Sequence, residues 1–280
     1  MTRDPAAPMA GVTRRRFLGM TSAAVGLWIR PAWGDGARDG PRRSSSLARD
    51  HRPVLHLPET TRNGAKVPIL VEMAHPMTED HHITRVQVVN ATDPVPLKGD
   101  FHLTPGNGRV YLAFQARMHG GASEVSVTAE CNRHGEWSTT RTIEIPADAG
   151  GCAGTAPSEG GPTLPDDIRG PAIRIAELVE RGRLRRGELV HASVKMRHPS
   201  RTGLALRDGR FVQESEPLHL EELEVHYGGQ RVSRFSLTPA LADDPFITFC
   251  LLARVEGPLT VLLTNNRGRR FEATHDLRFS

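Results

Sequence analysis

The segment Val67-Pro-Ile-Leu-Val-Glu72 decides the fold, because it is short, rich in β-branched residues and partly alternating in polarity. Four further segments of the same kind follow it: Ile83-Thr-Arg-Val-Gln-Val-Val89, Val110-Tyr-Leu-Ala-Phe114, Val125-Ser-Val-Thr-Ala129 and Trp137-Ser-Thr-Thr-Arg-Thr-Ile-Glu-Ile145. Gly106-Asn107-Gly108 is typical of a hairpin turn. The one helix-like stretch, residues 173–186, is interrupted by Gly182. We therefore predict an all-β fold.

Two short motifs occur twice in the same order. Residues 71–76 (Val-Glu-Met-Ala-His-Pro) match residues 194–199 (Val-Lys-Met-Arg-His-Pro), and residues 101–105 (Phe-His-Leu-Thr-Pro) match residues 235–239 (Phe-Ser-Leu-Thr-Pro). The second copy has extra residues around 205–215. A repeat of roughly 100 residues predicts two tandem β-sandwich domains of about seven strands each.

The predicted domains are residues 52–146 and 172–280. Residues 147–171 separate them and are rich in Gly and Pro, so we expect a flexible, exposed linker that carries Cys152.

The N-terminus resembles a secretory leader of the twin-arginine type. Thr13-Arg-Arg-Arg-Phe-Leu18 is followed by an uncharged apolar run to Ile29, which is too short to span a membrane. Ala32-Trp33-Gly34 is suited to cleavage before Asp35. We predict a signal peptide over residues 1–34, a disordered lead-in over 35–51, and a mature periplasmic protein without a membrane span.

The distribution of charge argues against nucleic acid as a partner. The formal net charge is +4, and residues 1–34 alone carry five Arg and one Asp. The rest of the chain is therefore neutral and has no spare positive charge for a phosphate backbone.

The three cysteines have different surroundings. Cys131 and Cys250 lie in apolar strand-like segments, so we expect both to be buried; a disulfide between them would have to join two domains. Cys152 lies in Gly150-Gly-Cys-Ala-Gly154, so we expect an exposed thiol with a pKa close to its ordinary value. It has no adjacent base, so we expect a slender attachment point and no catalytic nucleophile; an incidental linker cysteine is the alternative.

Residues 52–154 resemble SoxY, the carrier subunit of the bacterial thiosulfate-oxidising system, and residues 172–280 resemble its partner SoxZ. The motifs that carry the resemblance to SoxY are Val67-Pro68, Val71-Glu72, Pro76-Met-Thr-Glu-Asp80, Phe101-His-Leu-Thr-Pro105 and Gly150-Gly-Cys-Ala-Gly154. Those of SoxZ are Val194-Lys195, His198-Pro199, Thr202-Gly203, Thr238-Pro239 and Asn265-Asn-Arg-Gly268. The resemblance implies immunoglobulin-like sandwiches and a covalent role for Cys152, on an arm made flexible by Gly150, Gly151 and Gly154.

The resemblance implies a carrier of sulfur intermediates that itself is no enzyme. Its implied partners are periplasmic sulfur-oxidising enzymes and c-type cytochromes. Fused proteins of this kind also occur beside quinoprotein (PQQ) dehydrogenases, so the alternative is an accessory or binding protein of such a dehydrogenase. A purely structural, adhesin-like protein is a further alternative.

We predict neither a catalytic residue nor a cofactor nor a metal site. The densest histidine motif is Glu79-Asp-His-His82, but adjacent side chains on a strand point in opposite directions, which suits a polar turn better than shared ligation. His75 and His198 occupy equivalent positions before proline, which predicts a structural role in a turn.

Overall fold

The computed structural model describes residues 45–153 and 167–280, and residues 43–280 form one unit. The predicted leader, its cleavage site, Gly154 and most of the linker lie outside the described residues. Two predictions are wrong for the residues that the structure describes. Ser45–His51 is a helix where a disordered lead-in was expected, and residues 147–153 have defined contacts where a flexible linker was expected.

The described residues contain two short α-helices, two 3-10 helices (Pro105–Asn107 and Ala147–Ala149) and sixteen strands. The α-helices are α1 (Ser45–His51) and α2 (Ala176–Arg181). The strands of the first half are β1 (Val54–His56), β2 (Val67–Met73), β3 (Ile83–Asn90), β4 (Leu97–His102), β5 (Val110–Ala116), β6 (Gly121–Cys131) and β7 (Gly135–Ile145). Those of the second half are β8 (Arg169–Ile175), β9 (Glu188–Arg197), β10 (Leu204–Arg207), β11 (Arg210–Gln213), β12 (Leu220–Tyr227), β13 (Gln230–Ser236), β14 (Phe246–Ala253), β15 (Gly257–Asn265) and β16 (Arg270–Leu277).

The strands form two large antiparallel sheets, each of which contains strands of both halves. One described sheet has the order β1-β2-β5-β14-β9-β8, and the other has the order β16-β15-β12-β13-β4-β3-β6-β7. Alternate residues of the strands face inward, as in β5, and the buried ones form a single core cluster. The all-β fold class is confirmed, whereas the immunoglobulin-like type of the sandwiches stays a prediction. The division into domains at 146 and 172 stays a prediction. Both large sheets combine strands from before and after this boundary.

The two halves meet through equivalent strands. Phe101 of β4 pairs with Phe235 of β13, its counterpart in the repeat. The flanking contacts are reciprocal: Thr104 Oγ1 donates to Val232 O at 2.8 Å, and Thr238 Oγ1 donates to Leu97 O at 2.7 Å. This reciprocity is what an approximate two-fold relation between the halves produces.

The extra residues of the second copy form a hairpin of their own, β10 with β11. Among the residues that the structure describes, no helix is long and apolar enough to cross a membrane.

Candidate functional site

Cys152 is buried, with 2% of its surface exposed. The expectation of an exposed linker thiol is therefore wrong for this conformation. Cys131 and Cys250 are buried as predicted, and all three thiols are free. The Cys131–Cys250 disulfide that was weighed as an alternative is not formed.

The segment of residues 147–152, which we call the arm, is docked against the first half by main-chain hydrogen bonds. Gly64 N donates to Ala149 O at 2.9 Å, and Gly151 N donates to Met118 O at 2.8 Å. Met118 N donates in turn to Gly64 O at 2.7 Å. The arm thus continues the hydrogen bonding of the loops at residues 64 and 118, and this holds it in place.

Gly150 and Gly151 allow the arm to approach this closely. A Cβ atom on Gly151 would lie 2.3 Å from Ala65 Cα, and one on Gly150 would lie 2.5 Å from Gly120 N. Both distances are far below van der Waals contact, so any larger residue would push the arm away. In this conformation the two glycines therefore serve tight docking; their predicted contribution to flexibility stays a prediction.

Side chains from both halves clamp the end of the arm. Arg117 Nη1 donates to Gly151 O at 3.0 Å, while its Nη2 lies 2.9 Å from Asp243 Oδ2 in the second half. Thr202 Oγ1 donates to Cys152 O at 2.7 Å. The second half therefore holds the cysteine of the first half in its buried position.

The electrostatic environment keeps the Cys152 thiol neutral. Burial is the main cause that raises its pKa to about 12, and the nearby Asp93 carboxylate adds to the effect. Lys98 and Arg117 oppose it, but Lys98 Nζ is fully buried and lies 2.5 Å from Asp93 Oδ2, so much of its charge is compensated. A neutral thiol is a poor nucleophile, so the docked arm is unreactive.

A cluster of four histidines and one cysteine lies at the other end of the first half. His51 ends α1, His75 follows β2, His81 precedes β3, and Cys131 and His134 lie at the turn from β6 to β7. Residues His51, His81, Cys131 and His134 place their ligand atoms within 4.8 Å of one another. We call these five residues the histidine cluster.

The ring nitrogens of the cluster converge on one point. His51 Nε2 lies 2.9 Å from His134 Nδ1, 3.2 Å from His81 Nε2 and 3.0 Å from His75 Nε2. His134 Nδ1 lies 3.1 Å from His81 Nε2 and 3.7 Å from Cys131 Sγ. Imidazole and thiolate donors gathered in this way can hold a transition metal.

The absence of a metal site was predicted from the Glu79–His82 motif, and the structure shows why that reasoning missed the cluster. Adjacent histidines do diverge: only His81 joins the cluster, whereas His82 Nδ1 lies 3.0 Å from Thr78 O. His75 forms the predicted turn contact with its Nδ1, 2.5 Å from Pro76 O, but its Nε2 faces the cluster.

Two spacings could have signalled the cluster from the sequence. Cys131 and His134 are three residues apart across a turn, and His75 and His81 are six apart before a strand. His51 had no such signal, because it lies in a segment that was expected to be disordered.

Comparisons with known proteins identify both halves of the chain. The family model of the sulfur oxidation protein SoxY matches residues 43–152, and that of the sulphur oxidation protein SoxZ matches residues 180–276. A comparison with curated proteins finds no match.

The comparison with solved structures gives matches of low sequence identity and low TM-score. The superoxide reductase (neelaredoxin) from Ignicoccus hospitalis is 21% identical, with a TM-score of 0.31, and the match covers 37% of this chain and 88% of that one. The sulfur carrier protein SoxY from Chlorobium limicola f thiosulfatophilum is 18% identical, with a TM-score of 0.27 and coverage of 33% and 77%. The two family matches lie in tandem and together cover most of the chain, which therefore belongs to the SoxY and SoxZ families as a fused SoxYZ-like protein.

Proposed function

We propose that the protein is a covalent carrier that holds sulfur intermediates on Cys152 and presents them to partner enzymes. The observation that carries this proposal is that the SoxY match ends on Cys152 itself, within the Gly-Gly-Cys segment. The protein performs no catalysis of its own in this proposal; its task is to bind, protect and deliver.

The docked arm gives the carrier a protected state. Cys152 is neutral and buried there, so a bystander oxidant or thiol does not reach it. Loading requires release of the arm, which breaks the hydrogen bonds of Gly151 with Met118 and Arg117 and the one from Thr202 to Cys152 O. Once it is released, the thiol regains an ordinary pKa and ionises near neutral to mildly basic pH.

The covalent step follows from the chemistry of thiols. Thiosulfate joined to the Cys152 thiolate forms one S–S bond and releases two electrons, which c-type haems of a cytochrome partner would accept one at a time. The S–S bond is labile to thiols, so a reductant removes the adduct and regenerates the cysteine.

The proposed setting is the periplasm, reached through the twin-arginine leader. The proposed partners are periplasmic sulfur-oxidising enzymes and c-type cytochromes. Since Cys152 is followed by the second half of the chain, the arm would enter a partner site as a loop held at both ends. A partner with an open groove suits this better than one with a narrow channel.

The test is intact-mass spectrometry of full-length protein purified without reductant. We expect forms heavier by sulfur or sulfur-oxyanion adducts that disappear on reduction. Cys152→Ser should lose every such form, whereas Cys250→Ser, the matched buried cysteine, should keep them.

Adducts that persist in Cys152→Ser would exclude this role. Growth separates the proposal from the dehydrogenase-linked alternative: a Cys152→Ser defect on thiosulfate supports sulfur carriage, and a defect only on alcohols contradicts it.

A further inference from the structure

One contact in the histidine cluster, between His51 Nε2 and His75 Nε2, is not explained by a hydrogen bond between the two rings. His51 Nδ1 lies 2.8 Å from Leu47 O, and His75 Nδ1 lies 2.5 Å from Pro76 O. A carbonyl oxygen can only accept, so each Nδ1 carries the proton and each Nε2 presents a lone pair. These two Nε2 atoms nevertheless face each other at 3.0 Å.

When both rings are neutral, the contact between His51 Nε2 and His75 Nε2 brings two lone pairs together. Lone pairs that face each other at this distance repel, unless a cation lies between them. The Nδ1–H···O=C bonds are also the contacts that orient metal-bound histidines and fix their tautomer.

We propose that the cluster is a mononuclear site for a divalent first-row transition metal. Its ligands are Nε2 of three residues (His51, His75 and His81), Nδ1 of His134 and the thiolate of Cys131. Imidazole and thiolate are the donors preferred by iron, cobalt, zinc and copper, and they exclude magnesium and calcium, which need oxygen ligands.

The spacing of the nitrogens indicates a coordination number above four. With metal–nitrogen bonds of about 2.1 Å, donors at a right angle lie about 3.0 Å apart, and donors at the tetrahedral angle lie about 3.4 Å apart. His51, His81 and His134 form a triangle with sides of 2.9, 3.1 and 3.2 Å, close to the right-angle value. Cys131 lies in the same group of mutually close ligand atoms and adds the fourth donor. His75, whose Nε2 lies 3.0 Å from His51 Nε2, adds the fifth.

The site is reachable from solvent on one side. His51, His75 and Cys131 are buried, whereas His81 and His134 are partly exposed. A metal ion can therefore enter past the two partly exposed rings without unfolding of the sandwich.

The metal site is separate from the carrier cysteine. His75 and His81 lie at one end of β2 and β3, while Gly64 and Asp93, which lie close to the arm, are at the other end of the same strands. A strand of seven residues spans roughly 20 Å, so no single ion contacts both thiols. The two proposals can therefore fail independently.

The experiment is metal uptake by full-length protein that has been stripped with a chelator and handled without oxygen. We expect about one equivalent of Co(II) per chain and a thiolate-to-cobalt charge-transfer band in the near ultraviolet. His81→Ala and His134→Ala should each weaken Co(II) binding at least about tenfold, the lower limit of what even outer-shell substitutions cause.

The matched controls are His82→Ala, the adjacent histidine outside the cluster, and Cys250→Ser, a buried cysteine elsewhere. Both should bind as the wild type does. Cys131→Ser should lose the charge-transfer band while it keeps weaker uptake through the imidazoles, and circular dichroism checks that each variant is folded.

Co(II) uptake below about a tenth of an equivalent would overturn the proposal. So would uptake by folded His81→Ala and His134→Ala equal to that of the wild type. Intense visible bands of a tetrahedral cobalt centre would contradict the five-ligand set.

Discussion

His75 in the first half and His198 in the second half form the same turn but face different partners. Each ring contacts the carbonyl oxygen of the following proline through Nδ1, at 2.5 Å and 2.6 Å respectively. His198 Nε2 then lies 3.2 Å from Asn265 Nδ2, an amide donor that satisfies its lone pair. His75 Nε2 lies 3.0 Å from His51 Nε2, which brings a second lone pair and no proton.

The difference shows how one copy of a repeated fold can acquire metal-binding side chains that the other copy lacks. The turn itself is shared, and it fixes the tautomer in both halves. The further donors of the first half come from outside the repeated motif: His51 from α1 and His134 from the turn between β6 and β7. The second half has a structural hydrogen bond in the equivalent place and contributes Thr202 to the docked arm.

The largest effect that separates the two turns concerns stability without metal. His198→Ala should lower the free energy of unfolding by about 3 kcal/mol, because it leaves a buried cavity and removes the acceptor of the Asn265 amide. His75→Ala should cost only about 1 kcal/mol in chelator, because it also removes a repulsive contact. Urea unfolding measures both changes. Equal losses in the free energy of unfolding would show that the two histidines contribute equally to stability.

The second effect is stabilisation by metal. At a free Co(II) concentration of 100 times the dissociation constant, the wild type should gain about 2.7 kcal/mol. His198→Ala should gain the same amount from its lower starting point, whereas His75→Ala should gain much less. A loss of the gain in His198→Ala would mean that the metal acts on both halves.

The sequence predicted the shared parts of the halves better than the parts that differ. Strand segments such as 67–72 and 110–114 are predicted from their β-branched, partly alternating residues, and burial alternates along both strands in the structure. The hairpin at 204–213 corresponds to the extra residues of the second copy. These signals depend only on residues that are close together in the sequence, so one sequence is enough to read them.

The fates of Cys152 and His51 could not be predicted in this way. Cys152 is held in its buried position by Arg117 and Thr202, which are distant in sequence. Its glycine neighbours predict a flexible, exposed segment, whereas in the structure they permit close packing of the main chain. His51 is placed by contacts with rings from three other segments. Both depend on tertiary contacts that no local pattern encodes.

A third prediction tests whether the first half protects its thiol by docking. The docked pKa of Cys152, about 12, lies above the ordinary value of the released thiol, so the docked state is favoured fully at neutral pH and loses this advantage as the pH rises from about 8.5 towards 12. Alkylation of Cys152, followed by peptide mapping, should therefore keep rising about tenfold from pH 9 to pH 10. The unfolded protein should reach a plateau near pH 9, and a plateau in the native protein would show that the thiol is already exposed.

The smallest effect concerns the clamp from the second half. Thr202→Val preserves the shape of the side chain but removes the hydroxyl, which donates to Cys152 O at 2.7 Å and accepts from Leu204 N at 3.2 Å. A hydrogen bond of this kind contributes about 1 kcal/mol, so the released fraction of the arm should rise about fivefold, and the alkylation rate of Cys152 at pH 8 with it. Thr238→Val is the matched control, because Thr238 Oγ1 likewise donates to a main-chain carbonyl, Leu97 O, and accepts from the amide two residues on, Ala240 N. If the two variants raise the rate equally, the arm opens through general loosening of the junction; if only Thr202→Val does so, the second half controls access to the cysteine through this one hydrogen bond.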